Sequence, residues 1–365
     1  MNLLLTLLIV CGFVLLLCLA IILSGKLLGQ SGEVEISINS QKNFLAKRGE
    51  KLLTALSTGD IHLPAACGGK GNCGRCKIKI ISGGGPVTSL ERIVLTEEEL
   101  NNSQRLACQV KLREPIKAEV SEELLKAVSF KAKLIEIKEV AYKIKTLRFK
   151  LEENKKLEFK AGQYVQICRE LPWEKTIRAY SISSSPKTVD EFSLDVQLVE
   201  GGIMSTWLHG CQIGSILDFT GPYGDMYVKD SSSVLLIAGG VGLAPMRSIV
   251  SYLIEAGYEG KITLFHGVRS KRNLYCEDEY KKLSKKYKNF EYIPVLSEPA
   301  LEDGWTGSTG LVTTTVGEWL KENTQTQIGM QAYLCGPSKM MEAATSILVM
   351  NGVAPENIYS DPFSF

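Results

Sequence analysis

Four cysteines give the chain its clearest chemistry. Cys67, Cys73 and Cys76 stand at C-x5-C-x2-C in CGGKGNCGRC, and Cys108 follows in RLACQV. Four thiolates on and beyond a glycine-rich loop suit a two-iron cluster, which takes four cysteine ligands. Gly68, Gly69, Gly71 and Gly74 suit it too, because a loop folded over a cluster needs positive φ and backbone N–H groups close to sulfur. A zinc site would repeat C-x2-C or add histidine, and a disulfide framework belongs to short secreted chains; neither pattern is present. His62, His209 and His266 are the only histidines, and none pairs with these cysteines as a Rieske centre requires.

Three further groups point to nucleotide chemistry. In Arg178-Ala179-Tyr180-Ser181 a guanidinium can hold phosphate and a ring can stack on a planar cofactor. Gly201-Gly202-Ile203-Met204-Ser205 opens a helix, STWLHG, whose N-terminus suits a pyrophosphate. The apolar run Val234 to Ala238 reads as a buried parallel strand, and Gly239 to Pro245 (GGVGLAP) leads from it into a helix carrying Met246, Ile249, Val250 and Leu253. Pro245 stands where the third glycine of G-x-G-x-x-G would be, so this is a nucleotide loop without the usual fingerprint. Strands are expected at Ile262 to His266, Phe290 to Val295 and Gln331 to Leu334. The last runs into Cys335-Gly336-Pro337, and ligands bind at such strand ends.

The elements that must position these groups divide the 365 residues into several modules. Leu3 to Leu23 is apolar apart from Thr6 and Gly12, long enough for a bilayer, and lacks the basic start and small-residue cleavage site of a signal peptide. Residues 1–25 are therefore expected to be a transmembrane anchor. Lys26, Lys42, Lys47 and Arg48 follow it, which places the body in the cytoplasm. Cys11 and Cys18 share a face of that helix and read as lipid-facing.

Residues 33–127 form the cluster module. Val34, Ile36 and Ile38 alternate as a half-buried strand, Leu52, Leu53 and Leu56 follow a helix face, and Lys77 to Ile81 reads as a strand. Thr96 before Glu97, Glu98 and Glu99 reads as a helix N-cap rather than a docking patch. Residues 129–230 are strand-rich and suggest a barrel, with strands at Phe130 to Ile137, Tyr142 to Leu151, Tyr164 to Ile167 and Phe192 to Val199, closed by a turn at Gly221-Pro222-Tyr223-Gly224. Residues 231–365 alternate strand and helix. With 42 basic and 40 acidic residues there is no nucleic-acid signal, and Cys168, Cys211, Cys276 and Cys335 lie scattered, as in a reducing compartment.

R-x-Y-S, G-x-x-S, GG-x-G-x-x-P and CGP-x-x-M, in that order, resemble the ferredoxin–NADP reductase superfamily over about residues 130 to 365. With an anchor and a cluster module in front, the whole chain resembles the family formed by the F subunits of the sodium-translocating NADH:quinone oxidoreductases. The resemblance extends to RLACQV and to the stretch Gly267 to Arg272. It implies a multidomain α+β and α/β protein: a transmembrane helix, a β-grasp [2Fe–2S] ferredoxin domain, an antiparallel β-barrel for FAD and a doubly wound parallel sheet for NADH. Arg178, Tyr180 and Ser181 would hold the flavin, with Ser181 near its reactive nitrogen. Gly202 and Ser205 would hold its pyrophosphate. Gly239, Gly240, Gly242, Pro245, Arg269, Gly336 and Pro337 would hold the nicotinamide nucleotide, with Cys335 near the nicotinamide. Phe363 would cover the flavin ring.

Relatives that use NADPH carry Ser-Arg after the strand matching Tyr292 to Leu296; Ser297-Glu298 here implies a preference for NADH. The function implied is an NADH dehydrogenase subunit, single-pass in a bacterial-type cell membrane with cytoplasmic catalytic domains. It would pass electrons from NADH through FAD and a 2Fe-2S cluster to the integral membrane subunits of a quinone-reducing complex. The reductase component of an oxygenase shares the three cofactor modules but usually has no span.

Overall fold

Alternating burial sets the first sheet. In the computed structural model, Val34, Ile36 and Ile38 of β1 (Glu33–Ile38) are buried while the residues between them face outward. The structure describes residues 9–20, 32–65, 67–152, 155–170, 175–229, 231–324 and 329–363. They form two units, Met1–Gly59 with Gly69–Ser121, and Asp60–Gly68 with Glu122–Phe365. Residues 9–20 are helical and exposed throughout. The rest of the expected span, Leu3–Leu23, lies outside the described residues, and among the described residues no helix is long and apolar enough to cross a membrane.

In the smaller unit β1 is followed by β2 (Lys42–Lys47), α1 (Leu52–Thr58), β3 (Lys77–Ser82), α2 (Ser89–Val94), α3 (Glu97–Asn101), β4 (Gln104–Leu106) and β5 (Ile116–Glu119). The sheet order is β2-β1-β5-β3-β4, with β1 and β5 parallel and the other neighbours antiparallel. Leu52, Ala55 and Leu56 are the buried residues of α1; Leu53, expected on that face, stays partly exposed and covers Gly69 of the cysteine loop instead. Thr96 is the expected N-cap and forms a capping box with Glu99, and Thr88 and Glu91 form a second.

Glu91 does more than cap. Its carboxylate accepts from Arg105 Nε at 2.8 Å and Nη2 at 2.9 Å, and from the Leu106 N–H at 3.0 Å. Arg105 Nη1 donates to the carbonyls of Gly84 and Gly85, and Nη2 to that of Pro86. The fork therefore ties the 84–91 loop to β4, the strand that leads to Cys108.

The larger unit opens with α4 (Glu122–Leu125) and a six-stranded antiparallel sheet: β6 (Val128–Ala141), β7 (Ile144–Leu151), β8 (Tyr164–Glu170), β9 (Lys175–Ser181), β10 (Glu191–Gln197) and, after α5 (Ile203–Gly210), β11 (Ile216–Tyr223). Its order is β10-β7-β6-β11-β8-β9, and an antiparallel bridge from Ile182 to Leu194 joins the two edges into a barrel. Phe130, Phe149, Phe192 and Phe219 fill it, with ring centroids 5.1 to 6.0 Å apart. The R-A-Y-S residues lie on β9. One expectation changes here: Gly221 to Tyr223 belong to β11, where Gly221 pairs with β6 and, past a bulge after Thr220, Tyr223 pairs with β8, so the segment continues the strand rather than forming a closing turn.

A parallel sheet follows: β12 (Ser233–Gly239), α6 (Leu243–Glu255), β13 (Lys261–Val268), α7 (Glu277–Lys286), β14 (Phe290–Leu296), β15 (Ser308–Thr309), α8 (Val312–Glu322), β16 (Met330–Pro337), α9 (Ser338–Met350) and β17 (Ile358–Phe363). The order β15-β14-β13-β12-β16-β17 reverses between β12 and β16, the switch point of a doubly wound sheet. β15 and β17 are strands that the hydrophobic pattern does not reveal. Ile144, Ala161 and Met226 of the barrel region pack into the same core as Leu236, Met246 and Ile249 of the sheet.

The Glu91 fork gives the smaller unit a pH dependence. Burial opposes ionisation of this carboxyl, but the hydrogen bonds from Arg105, Thr88 and Leu106 outweigh it and hold it below the usual range. Its stabilisation is therefore complete above the unfolded value of about 4.3 and is lost as pH falls through the lower folded value. Glu91→Gln leaves Arg105 buried without its counter-charge and is expected to cost about 3 kcal/mol at neutral pH. Chemical denaturation of the full chain, followed across pH 3 to 7, should show that loss shrinking toward acid; an equal loss at every pH would contradict the assignment.

Candidate functional site

The structure brings the cysteines together only in part. Cys76 and Cys108 are buried and in hydrogen-bonding contact, with Cys73 half-buried close enough to act on Cys76 electrostatically. Cys67 lies half-buried on the turn after Ala65. Among the described residues no three His, Cys, Asp or Glu converge tightly enough to hold one metal ion. The contact with Cys108, then burial, pushes the Cys76 thiol far above its usual range. Two buried thiols in contact do not both ionise unaided; they need cationic charge beside them. Gly68, Gly69, Gly71 and Gly74 all have positive φ, between 65° and 87°, and Gln109 Nε2 donates to Cys108 Sγ at 3.4 Å. A side chain at Gly71 would collide with that same Gln109 amide, 2.5 Å away.

On the barrel, Arg178 and Tyr180 stand two apart on β9, on one side of the strand, both partly exposed. Burial pushes the Tyr180 phenol up, so it stays neutral and donates rather than ionises. Ser181 is buried, and its Oγ has no hydrogen-bond partner among the described residues. A buried hydroxyl without a partner costs about 1 to 3 kcal/mol, which a ligand atom at that point would recover. Ser205 Oγ accepts from the Val199 N–H at 3.1 Å and lies 3.3 Å from the Gly202 carbonyl, so it braces the turn before α5. Gly202 is the N-cap of that helix. The Cys67-Gly68 turn lies against β9, since a Cβ on Gly68 would stand 3.3 Å from Arg178 Nη1.

The sheet offers a cavity of about 540 Å³ at its switch point. Gly239, Gly240, Gly267, Arg269, Ser297 and Pro337 line it from the strand ends, and Tyr142, Lys143 and Ile144 line it from the β6–β7 turn of the barrel. Gly242 and Pro245 are buried behind it, at the start of α6. A Cβ on Gly242 would lie 2.2 Å from the Cys335 carbonyl, so this crossing admits glycine alone. Cys335 is fully buried, and burial, with Asp361 adding, pushes its thiol well above the ordinary range. Glu298 does not line the cavity. It pairs with Arg269 at 3.5 Å, both side chains exposed, so water screens the pair. Phe363 enters through its backbone, as the last residue of β17 paired with Pro337.

Two residues here carry no signal in the sequence. His266 on β13 is fully buried; its Nε2–H donates to the Gly240 carbonyl at 3.2 Å, and Nδ1 accepts from the Tyr292 hydroxyl at 3.4 Å. Burial lowers it to about 4, so it is neutral and holds the Gly239-Gly240 turn as a hydrogen-bond donor. Asp195 on β10 is buried beside Arg247 of α6, at 2.7 Å. Only the fold makes these pairs neighbours.

Known proteins share this arrangement. Residues 36–113 match the 2Fe-2S iron-sulfur cluster binding domain, residues 131–227 the oxidoreductase FAD-binding domain, and residues 236–346 the oxidoreductase NAD-binding domain. The F subunit of the Na(+)-translocating NADH-quinone reductase of Serratia proteamaculans is 31% identical across 96% of this chain and 97% of its own length. That of Mannheimia succiniciproducens is 32% identical, covering 96% of both. The chain belongs to that family of F subunits. Among solved structures, an Amycolatopsis cytochrome P450 reductase matches 90% of this chain and 98% of its own with a TM-score of 0.73 at 25% identity. A ferredoxin reductase in carbazole 1,9a-dioxygenase matches 91% of this chain and 99% of its own with a TM-score of 0.69 at 23% identity, which speaks to fold.

The residues present fit the cofactors of that family. Cys76, at the end of a positive-φ glycine loop and in contact with the buried Cys108, suits an iron–sulfur group, the buried Ser181 hydroxyl on the strand that carries Arg178 and Tyr180 suits a flavin, and the switch-point cavity suits a nicotinamide nucleotide.

Proposed function

We propose that the chain is the electron-entry subunit of a membrane quinone reductase, oxidising NADH and passing electrons through FAD and a [2Fe–2S] cluster to a quinone-reducing, sodium-translocating complex. The observation that carries this reading is the shared cavity. Strand ends of the parallel sheet and the β6–β7 turn of the barrel line one space, so a nucleotide held by the first is presented to the second. Membership of the family supplies the complex. The apolar stretch Leu3–Leu23, with Lys26, Lys42, Lys47 and Arg48 after it, supports an anchor with the catalytic modules on the cytoplasmic side. The four modules would divide at residues 1–25, 33–127, 129–230 and 231–365.

Each site follows from residues on this chain. Cys67, Cys73, Cys76 and Cys108 would ligate the cluster, with Gln109 donating to the Cys108 sulfur and so helping to set its potential. Arg178 and Tyr180 would take the flavin, and the buried Ser181 hydroxyl would donate to its ring. Gly202, at the N-cap of α5, would receive the pyrophosphate. Gly239, Gly240, Gly336 and Pro337 would frame the nicotinamide nucleotide, with Gly242 and Pro245 setting the loop behind them and Cys335 its floor. Phe363, on the strand edge next to Pro337, would shield the flavin. When bound, the flavin accepts two electrons together and gives them up singly, which a one-electron cluster requires. The chain's part is to hold the rings in contact and exclude water.

Glu298 would confer nucleotide preference by neutralising Arg269, one of three cations, with Lys143 and Arg272, that line the cavity, and by repelling a 2′-phosphate. The pair is solvent-screened, so the preference for NADH over NADPH is expected to be at least about tenfold in kcat/KM, and Glu298→Arg should narrow or reverse it. Equal use of both nucleotides by the unmodified protein would remove Glu298 from the site.

The assignment as a whole is tested by Cys73→Ser. The variant should lose the [2Fe–2S] spectrum and quinone reduction while still oxidising NADH with a flavin-level artificial acceptor. A retained cluster would refute the ligand set. Lost flavin reduction in a variant that still binds flavin would refute the division of labour.

A further inference from the structure

We propose that Asp195 and Arg247 are positioning residues for hydride transfer: a buried ion pair that fixes the flavin-bearing strand of the barrel against the nucleotide loop of the parallel sheet. The inference rests on the NADH-to-flavin reading above and concerns groups that do not line the nucleotide cavity.

The Asp195 side chain is wholly buried and accepts from both modules. From the barrel, Thr146 Oγ1 donates to Oδ1 at 2.7 Å and Ser183 Oγ at 3.2 Å. Ser183 lies two residues past Ser181, and its N–H is anchored on the Ser193 carbonyl at 2.8 Å. From the sheet side, Arg247 Nη1 lies 2.7 Å from Oδ1 and 2.8 Å from Oδ2, and the Tyr275 hydroxyl donates to Oδ2 at 3.3 Å. Arg247 is two residues past Pro245, in the first turns of α6. Tyr275 packs edge-on against His266, ring centroids 5.6 Å apart, and His266 holds the Gly240 carbonyl. One carboxylate thus joins the end of the R-A-Y-S strand to the start of the nucleotide helix, and through Tyr275 and His266 to the glycine turn lining the cavity.

Stability alone is a poor reason for such a pair. Burying two charges costs several kcal/mol, and apolar residues of similar volume often do as well. Directed hydrogen bonds do what apolar contact does not: they fix separation and angle. Hydride transfer is sensitive to both, since reacting atoms must approach to about 3 to 3.5 Å and a misplacement of about 1 Å can cost about 10²-fold in rate. The far end of α6 is tethered too, by Lys187 Nζ to the Glu255 carbonyl at 2.6 Å, but that contact is exposed and competes with water.

The test uses full-length protein loaded with FAD. Asp195→Asn keeps shape and removes charge; Arg247→Lys keeps charge and removes the guanidinium with its directed contacts to both carboxylate oxygens, and serves if the first variant does not fold. Lys187→Ala is the control. Three quantities are read: flavin content, the single-turnover rate of flavin reduction by saturating NADH, and the long-wavelength charge-transfer absorbance when NAD+ is titrated into dithionite-reduced protein, which reports ring overlap without turnover. Expected is retained flavin, a weakened charge-transfer band and a reduction rate lowered by about 10²-fold in either variant, with Lys187→Ala unchanged. Full charge-transfer absorbance and an unchanged rate in a flavin-loaded variant would overturn the inference while leaving the functional reading intact, as would a rate loss explained wholly by flavin loss. If NADH does not reduce the unmodified protein, the functional reading itself falls.

Discussion

Two backbones meet without side chains between them where β12 and β16 end, and the larger unit is arranged around that crossing. Gly242 faces the Cys335 carbonyl at a distance no Cβ tolerates, and Gly239 faces Met340 Sδ, which a Cβ would approach to 2.6 Å. Because the strand order reverses at this point, the connections from β12 and β16 leave a crevice at the strand ends. The glycines let the chain turn there, the buried His266 fixes the turn through the Gly240 carbonyl, and the β6–β7 turn of the barrel lines the other wall.

The chemistry asks for two kinds of environment. A nicotinamide must be brought to a planar ring by contact, and the buried groups behind the glycine-lined wall of the cavity are neutral, His266 uncharged and Cys335 protonated, while Lys143, Arg269 and Arg272 line it with positive charge. An iron–sulfur cluster needs thiolates, and the buried Cys76 and Cys108 ionise only when cationic charge enters beside them. The first site is preformed, whereas the second is completed by its ligand. The Glu91–Arg105 fork belongs to that second problem, because it secures the strand that delivers Cys108.

Contiguous chemistry was legible in the sequence. The cysteine loop, R-A-Y-S, GGVGLAP and CGP each place several functional groups within a few residues, and their order identifies the fold before any contact is known. What is dispersed was not legible. Asp195 and Arg247 lie 52 positions apart and meet only because β10 and α6 pack together. Gly221 to Tyr223 looks like a turn locally, yet the bulge holds it in β11. The resemblance assigns Ser205 to a phosphate, and only the fold shows that its hydroxyl also accepts from the Val199 N–H. Glu298 reads as a lone carboxylate, whereas the fold supplies Arg269 beside it. Side-chain partners distant in sequence are what a linear pattern omits.

The central claim is that electrons enter at the nucleotide cavity and reach the cluster only through the flavin. Anaerobic rapid mixing of the detergent-solubilised protein with NADH, followed by absorbance and by freeze-quench EPR, tests it most directly. The account predicts that flavin absorbance falls first and that the reduced-cluster signal then grows at a later or equal time, to one electron per cluster. A cluster signal that appears before any loss of flavin absorbance would contradict it.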